Sequence, residues 1–243
     1  MQSNHVILSV LFQLILIQFA YSQDVPFDKS TFGNDKERLK TAQKALRDAD
    51  AFNQQEQFYL ALDSYLVAQE INPQNAELNY KIGSIYLQIE RCKALPYIKK
   101  AFELNPGIKM DLLFLLGLSY QYNEQFSEAL ESYEKYRKTL LESDLEELNA
   151  VNKRMGECKN GLELAKNPAR AFITNVKEIN SRFTDHSPVI STDESVMLFT
   201  STREGSVGGK QNNYDQEYDE DIYISYKKAG RWSLPVNAGE PLN

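Results

Sequence analysis

Apolar side chains recur every three to four residues up to residue 166, and beyond it they alternate with polar ones over short runs. The first spacing predicts amphipathic helices and the second predicts half-buried strands. Helices are predicted over residues 35–53, 57–71, 75–89, 92–104, 108–122, 126–141 and 144–166. The two regions meet at Asn167 and Pro168, because a residue that precedes proline avoids the α region and so ends a helix.

Two stretches of the helical region repeat each other. Gly83 and Gly117 lie 34 residues apart (117 − 83), and Tyr80 and Phe114 keep the same offset. A small residue lets one helix approach its partner, while an aromatic residue one turn away fills the gap beside it. The second helix of each pair carries small residues at its own contact positions, which are Ala61, Ala68, Ala94, Ala101 and Ala129.

The 34-residue period and these small and aromatic residues resemble the tetratricopeptide repeat, a helix-turn-helix unit. The first two units close with Asn72-Pro73 and Asn105-Pro106. The resemblance covers residues 35–166 and implies an α-solenoid of three helix pairs, with the seventh helix as a cap or half repeat. About three stacked units are the minimum at which such a solenoid buries a continuous core.

Five short runs after the helices are rich in β-branched and aromatic residues and predict strands. They are Thr174–Ile179, Pro188–Ser191, Val196–Ser201, Asp221–Tyr226 and Arg231–Pro235.

The amino-acid sequence of these runs resembles that of a blade of a TolB-type, WD40-like β-propeller. The matching motifs are Ser187-Pro188 with Asp193, Phe199-Thr-Ser-Thr-Arg203, Asp221-Ile-Tyr223, and Trp232. In that family the Ser-Pro and Asp residues mark a tight turn between the first two strands, and Asp-Ile-Tyr begins the third. Glu194 stands where the family usually has glycine.

The predicted fold class is therefore α + β and multidomain, with an α-solenoid of tetratricopeptide repeats followed by about one antiparallel blade. We expect a signal peptide over residues 1–22, a leader over 23–34, the solenoid over 35–166, a connection with a first strand over 167–180, and a partial propeller over 181–243. A propeller needs roughly four to eight blades to protect its strand edges. We therefore expect a partial sequence whose strand region is prone to aggregation, while residues 35–166 fold independently.

The N-terminal residues have a pattern that is typical of an export signal. An apolar run over Val6–Phe19 is followed by Ala20-Tyr-Ser22, the small-x-small pattern that precedes a signal peptidase cut, so the mature protein is expected to begin at Gln23. No Lys or Arg precedes the run, which leaves a retained anchor as the alternative. The order of signal, repeats and propeller resembles Gram-negative envelope proteins of the OmpA-like family. It implies the periplasm or the periplasmic face of the outer membrane, with a peptidoglycan link only through a domain that this sequence lacks.

Composition narrows the possible chemistry. A net charge of -7 and a pI near 5.1 disfavour nucleic acid as a partner, because binding phosphates requires a basic surface. Cys92 and Cys158 are too few for a disulfide framework and are expected as two buried thiols, with a bridge as the alternative. His186 is the only histidine after the export signal and is expected in a loop. We predict no catalytic residue, no cofactor and no metal site.

One acidic stretch leaves two interpretations open. In an extended backbone its alternating side chains would share one face and could collect a hard cation such as calcium. The other interpretation is a solvated acidic loop between two strands. The residues concerned are Asn213, Asp215, Glu217, Asp219 and Asp221.

The first helices of the repeats offer the best candidate for a working surface. Groove positions derived from the repeat register are mostly apolar or aromatic, which favours a helix or an extended segment with apolar anchors as the partner. The Lys and Asn pattern with which some tetratricopeptide proteins hold a terminal carboxylate is absent from these positions. Alternatively, these side chains only cover the solenoid or pack on the chain's own propeller. The positions are Tyr80, Ser84, Leu87, Phe114, Leu118, Gln121 and Tyr122.

These observations favour a non-enzymatic envelope scaffold or adaptor that binds a protein partner in the tetratricopeptide groove. Two alternatives belong to other classes. The chain could be the non-catalytic N-terminal part of a larger exported peptidase, because TolB-type propellers also precede serine peptidase domains. It could also be a glycan- or calcium-binding module that acts through the acidic loop.

Overall fold

The computed structural model describes residues 24–212 and 215–243. The predicted export signal lies outside these residues. The chain divides between Pro168 and Ala169 into two compact units, one helical and one built of strands. Within the described ranges no helix has both the length and the apolar character needed to cross a membrane.

Residues 24–168 of the helical unit contain eight α-helices. All seven predicted helices are confirmed, and the short helix α1 precedes them among these residues. They are α1 (Lys29–Phe32), α2 (Lys36–Gln54), α3 (Phe58–Ile71), α4 (Ala76–Ile89), α5 (Leu95–Leu104), α6 (Leu112–Tyr122), α7 (Phe126–Arg137) and α8 (Leu145–Lys166). Helices α2 with α3, α4 with α5, and α6 with α7 pack as pairs, and α8 packs on α7.

Some helix ends differ from the prediction. Helix α5 begins at Leu95 rather than at residue 92, because Arg91–Lys93 forms a 3₁₀ turn and Pro96 occupies the first helical turn, where a missing N–H costs nothing. Helix α7 ends at Arg137 rather than at residue 141. There the chain tightens into a turn in which the N–H of Thr139 donates to the carbonyl of Tyr136 at 2.9 Å.

Close contacts within the pairs form where the repeated glycines predict them. A Cβ built on Gly83 would lie 2.5 Å from Cγ1 of Ile98, and one built on Gly117 would lie 2.6 Å from the ring of Tyr133. Both distances are shorter than any real contact, so only glycine permits these helix approaches. Ala49, another 34 residues before Gly83, is fully buried. The repeat register is therefore confirmed by packing.

The turns inside the first and third pairs share an unusual backbone. Glu56 (φ 57°) and Glu124 (φ 59°) both adopt the left-handed conformation and lie 68 residues apart (124 − 56), two repeat periods. The second pair has the Arg91–Lys93 3₁₀ turn instead. The middle repeat thus keeps the helix contacts but changes the turn between its helices.

The described residues of the second unit form an antiparallel sheet of five strands. They are β1 (Asp185–Ile190), β2 (Val196–Ser201), β3 (Asp221–Lys228), β4 (Arg231–Trp232) and β5 (Val236–Asn237). The order is β1-β2-β3-β4, and β5 pairs with the other end of β3. The last predicted strand, Arg231–Pro235, is therefore wrong in its second half. Pro235 lacks the N–H that a ladder needs, and pairing resumes only at Val236.

Two further predictions about this unit are wrong. The predicted strand Thr174–Ile179 does not form and ends in a turn, in which the N–H groups of Ile179 and Asn180 both donate to the carbonyl of Val176 at 2.9 Å. Its apolar side chains cover the sheet instead of joining it, because Ile179 is buried against Met197 and Phe199. His186 lies in β1 rather than in a loop.

Arg203 holds the covered face of the sheet together. Its Nη2 donates to the carbonyl of Ile179 at 2.7 Å and to Asp185 at 2.6 Å, and its Nε donates to Oγ of Ser201 at 2.8 Å. The guanidinium also lies 5.1 Å from the ring centre of Phe199. Burial raises the pKa of Asp185, but hydrogen bonds from Ser201, Ser181 and Arg203 outweigh it and leave that pKa below its ordinary value. The pair is therefore a structural link.

A tight turn joins β1 to β2, as the blade resemblance implied. The N–H of Glu194 donates to the carbonyl of Ser191 at 2.8 Å, and the carboxylate of Asp193 accepts from Oγ of Ser191 at 2.6 Å. Hydrogen bonds from Ser191 and Ser195 lower the pKa of Asp193 to about 2. Glu194 has φ 55°, a conformation in which glycine costs least.

The two cysteines are both free thiols. The expectation that both are buried is wrong for Cys92, which is exposed in the 3₁₀ turn that replaces the predicted start of α5. Cys158 is fully buried on α8, and burial raises the pKa of its thiol to about 11. Cys158 therefore acts as a core residue.

Candidate partner-binding surface on the helical repeats

Tyr80 and Ser84 occupy adjacent turns of α4. The hydroxyl of Tyr80 donates to the Asp111 carboxylate, with distances of 3.0 and 2.9 Å to its two oxygens. Burial and then this hydrogen bond raise the pKa of Tyr80 to about 12. Oγ of Ser84 donates to the carbonyl of Tyr80 at 2.8 Å. Both side chains are half-buried, so each keeps part of its surface accessible.

A charged network lies beside Tyr80. Nζ of Lys81 lies 2.7 Å from Asp50 and 4.0 Å from Glu77, and Nζ of Lys109 lies 3.8 Å from Glu77. Asp50 also accepts a hydrogen bond from the hydroxyl of buried Tyr65, whose pKa is raised by burial and then by this bond. Alternating charges thus connect the first helices of the first two pairs.

Tyr80 and Ser84 line one cavity of about 210 Å³ in the helical unit. Its apolar wall is formed by Phe58 and Ile85, and its polar side chains are Asn53, Lys81 and Gln88. A cavity of this kind provides an apolar floor for one anchoring side chain and donors and acceptors for a peptide backbone.

The groove positions of the third pair are engaged inside the fold. Phe114 packs against the rings of Tyr133 and Tyr136, with ring centres 5.6 and 5.4 Å apart. The amide of Gln121 donates to Glu157 at 2.8 Å and accepts from the hydroxyl of Tyr133 at 2.8 Å. Phe114 and Gln121 therefore join α6 to α7 and α8.

Leu87, Leu118 and Tyr122 pack around a single cluster, the core between the first and second pairs. Leu87 is only 6% exposed, whereas Leu118 and Tyr122 are partly exposed at its edge. The guanidinium of Arg91 lies 5.2 Å from the ring centre of Tyr122. Of the seven predicted positions, Leu87 offers the least surface to a partner.

The sequence prediction did not include Asp50 or Lys81. The same period would have led to Asp50, which lies 34 residues before Ser84. Glycine marks the second and third pairs, whereas alanine occupies the equivalent position of the first pair, so the sequence pattern is weaker there. No local sequence pattern predicts the ion pairs that Lys81 forms with Asp50 and Glu77.

The acidic residues of the strand unit have separate partners. Glu217 accepts from the hydroxyl of Thr184 at 2.5 Å, and Asp221 accepts from the N–H of Val207 and the amide of Asn237. Asn213 lies outside the described residues. Among residues 24–212 and 215–243, no group of three or more His, Cys, Asp or Glu side chains is placed to hold a metal ion.

Taken together, the described part of the helical unit is an array of three helix pairs followed by one long helix. Its helix pairs recur every 34 residues, and a small residue on the first helix of a pair receives a large side chain from the second. The chain combines this array with an antiparallel sheet unit.

Solved structures of tetratricopeptide domains are similar to the chain. For the domain of Arabidopsis OM64, identity is 16%, the TM-score is 0.42, and the match covers 49% of this chain and 98% of that one. The TPR2B domain in a pHsp70 complex of yeast Sti1 is 13% identical with a TM-score of 0.41, and the match covers 50% of this chain and 98% of that one. The Sgt2 domain of Aspergillus fumigatus is 21% identical with a TM-score of 0.41, and the match covers 55% of this chain and 87% of that one. No protein-family model matches the chain, and no curated protein matches it.

Proposed function

We propose that this protein is a non-enzymatic scaffold or adaptor that binds a protein partner through its tetratricopeptide groove. The observation that carries the proposal is the cavity lined by Tyr80 and Ser84. Phe58 and Ile85 form an apolar wall for one anchoring side chain, while Gln88 and Asn53 can hydrogen-bond to a peptide backbone. A helix or an extended segment with an apolar anchor is the partner that fits.

Two matched tryptophan variants test the groove. Gln88→Trp places a large side chain at the cavity, whereas Asp63→Trp places it at an exposed position of α3 that does not line this cavity. With envelope extract as the source, we expect wild type and Asp63→Trp to retain the same protein and Gln88→Trp to lose it. Retention by all three chains, with equal helicity, would remove this cavity from the binding surface.

We also propose that the strand unit is one blade of a TolB-type β-propeller. In support, the sheet is an antiparallel meander and both of its faces carry apolar side chains. Phe199 and Tyr223 are buried on one face, while Val189, Leu198 and Val236 are exposed on the other. A sheet that faces water on one side normally alternates apolar and polar residues. Apolar residues on both faces suit a blade that packs between two others.

The proposed location is the periplasm or the periplasmic face of the outer membrane. The apolar run and the Ala20-x-Ser22 pattern support it. Envelope fractionation followed by mass spectrometry of the purified protein is the test, and an N-terminus at Gln23 is expected. Recovery of intact Met1 from a cytosolic fraction would reject both the cut and the location.

A further inference from the structure

The segment Asp24–Phe27 lies against the junction between the first and second repeats. The N–H of Val25 donates to the carbonyl of Gln74 at 2.8 Å. The carbonyl of Val25 accepts from the side-chain amides of Asn72 at 2.8 Å and Asn75 at 2.9 Å. Main-chain recognition of this kind is how proteins hold extended peptides, because it does not depend on the side chain that is bound.

Two side chains of the segment add specificity. The carboxylate of Asp24 accepts a hydrogen bond of 2.8 Å from the N–H of Ala76, and Ala76 is the first residue of the 14-residue helix α4. A helix N-terminus favours a negative charge because its first N–H groups lack partners within the helix. Three residues later, Phe27 packs on the core between the first two pairs, and its carbonyl accepts from the Gln43 amide at 3.2 Å.

The segment also bounds a cavity of about 280 Å³. Pro26 and Phe27 form one side, and side chains of α2 and α4 form the rest, among them Leu46, Asp50 and Lys81. Lys81 also lines the cavity that contains Tyr80 and Ser84. An occupant of the junction is therefore a direct neighbour of the proposed groove, although the site does not depend on that proposal.

We propose that the junction of the first two repeats is a second peptide-binding site and that Asp24–Phe27 is its resident ligand in cis. The junction site consists of Gln43, Asn72, Asn75 and the N–H of Ala76. It takes an extended segment with a carboxylate at the first position and an aromatic side chain at the fourth. A partner segment of this chemistry binds there by displacing the chain's own residues.

Tethering determines how the site must be tested. A segment that belongs to the same chain as its site acts at a high effective concentration, on the order of millimolar for a short linker, so it outcompetes a free peptide of the same sequence. The apparent affinity for an added peptide is reduced by the fraction of chains whose site is open. Weakening the resident segment should therefore expose the site.

The experiment uses the full chain and a fluorescent peptide with the sequence Asp-Val-Pro-Phe-Asp. With the double substitution Asp24→Ala and Phe27→Ala, the apparent Kd for the peptide should be at least about tenfold lower than with wild type. Adding Asn75→Ala should raise it again by about tenfold, and a peptide with Ala in place of Phe should bind weakly to every chain. Equal binding by wild type and the double variant, or binding insensitive to Asn75→Ala, would overturn the proposal.

Amide hydrogen exchange on the wild-type chain provides a second test, which does not require any variant to fold. A displaceable segment opens locally, so the N–H groups of Val25 and Ala76 should exchange with solvent faster than that of Ile82 by a factor of about 100 or more. Saturating amounts of the peptide with Phe should leave the exchange of Ile82 unchanged. Equal protection at Val25 and Ile82 would show that the segment leaves only on global unfolding, which would overturn the proposal.

Discussion

Gly117 is the residue on which the contact of the third helix pair depends. A Cβ at this position would meet the ring of Tyr133 at 2.6 Å, and that ring cannot retreat because it is fully buried and its hydroxyl donates to Gln121. We expect Gly117→Ala to lower the free energy of unfolding by about 1 to 3 kcal/mol, and Gly117→Leu to lower it further, because both overpack the contact. Urea denaturation followed by circular dichroism measures the change.

Gly156 provides the matched control. It lies in α8, and a Cβ built there would have no atom within 4 Å. Gly156→Ala should therefore stabilise the protein by up to about 1 kcal/mol, since alanine favours helix more than glycine does. Equal effects of the two alanine substitutions would mean that the register drawn from Gly83 and Gly117 is wrong.

Asp185 is expected to make the stability of the sheet unit depend on pH. Its pKa is lower in the folded chain than the ordinary value of 3.8, so the link to Arg203 stabilises the fold above about pH 4. That contribution is lost as the pH falls through the folded pKa. Asp185→Asn leaves a charged Arg203 without its partner, and should lower the free energy of unfolding at pH 7 by about 3 kcal/mol.

Denaturation of both chains between pH 7 and pH 3 checks this prediction. Wild type should lose stability on acidification, and the Asp185→Asn chain should lose less. Asp219→Asn, at an exposed carboxylate, is the control and should keep the wild-type slope. Parallel curves for wild type and Asp185→Asn would contradict the role given to the pair.

At the scale of the element, the second sheet face carries an apolar row. Val189 pairs with Leu198, Leu198 with Ile224, and Ile224 with Val236, so all four side chains lie on the same face. Val189 is 64% exposed, Leu198 is 36% exposed and Val236 is 63% exposed. Exposed apolar patches on strands promote association.

We expect Leu198→Thr to reduce aggregation without loss of stability, because threonine retains strand propensity and the side chain is partly in water. Met197→Thr, one residue earlier, changes the buried face and should cost about 2 kcal/mol or more. Light scattering and urea denaturation of both variants separate the two effects. A large loss of stability in Leu198→Thr would show that another part of the protein covers this face.

At the scale of the molecule, the two units should unfold separately. The single tryptophan, Trp232, lies in the sheet unit, whereas all the helices described lie before Pro168. Fluorescence of Trp232 therefore reports one unit, and ellipticity at the helical minimum reports the other. We expect different melting temperatures from the two probes, with Gly117→Ala shifting only the ellipticity transition. Coincident transitions that move together would mean that the chain unfolds as one unit.

The sequence by itself determined the helices, their pairing and the period of 34 residues. The helices can be predicted from nearby residues, because proline, glycine and the spacing of apolar residues affect the backbone within one or two helical turns. The core strands β2 and β3 were predicted for the same reason. Gly83 and Gly117 were also recognised as contact positions, since repetition converts one local pattern into a spatial one.

Tertiary structure alone decided the pairings of polar groups and the fate of ambiguous apolar runs. Tyr80 meets Asp111 across 31 residues, Lys81 meets Asp50 across the same separation, and Val25 meets Asn75 across 50. The run Thr174–Ile179 has the composition of a strand, yet it covers the sheet, because its hydrogen bonds close locally within a turn. Such outcomes depend on which distant surfaces become buried together, and that is settled only when the whole chain packs.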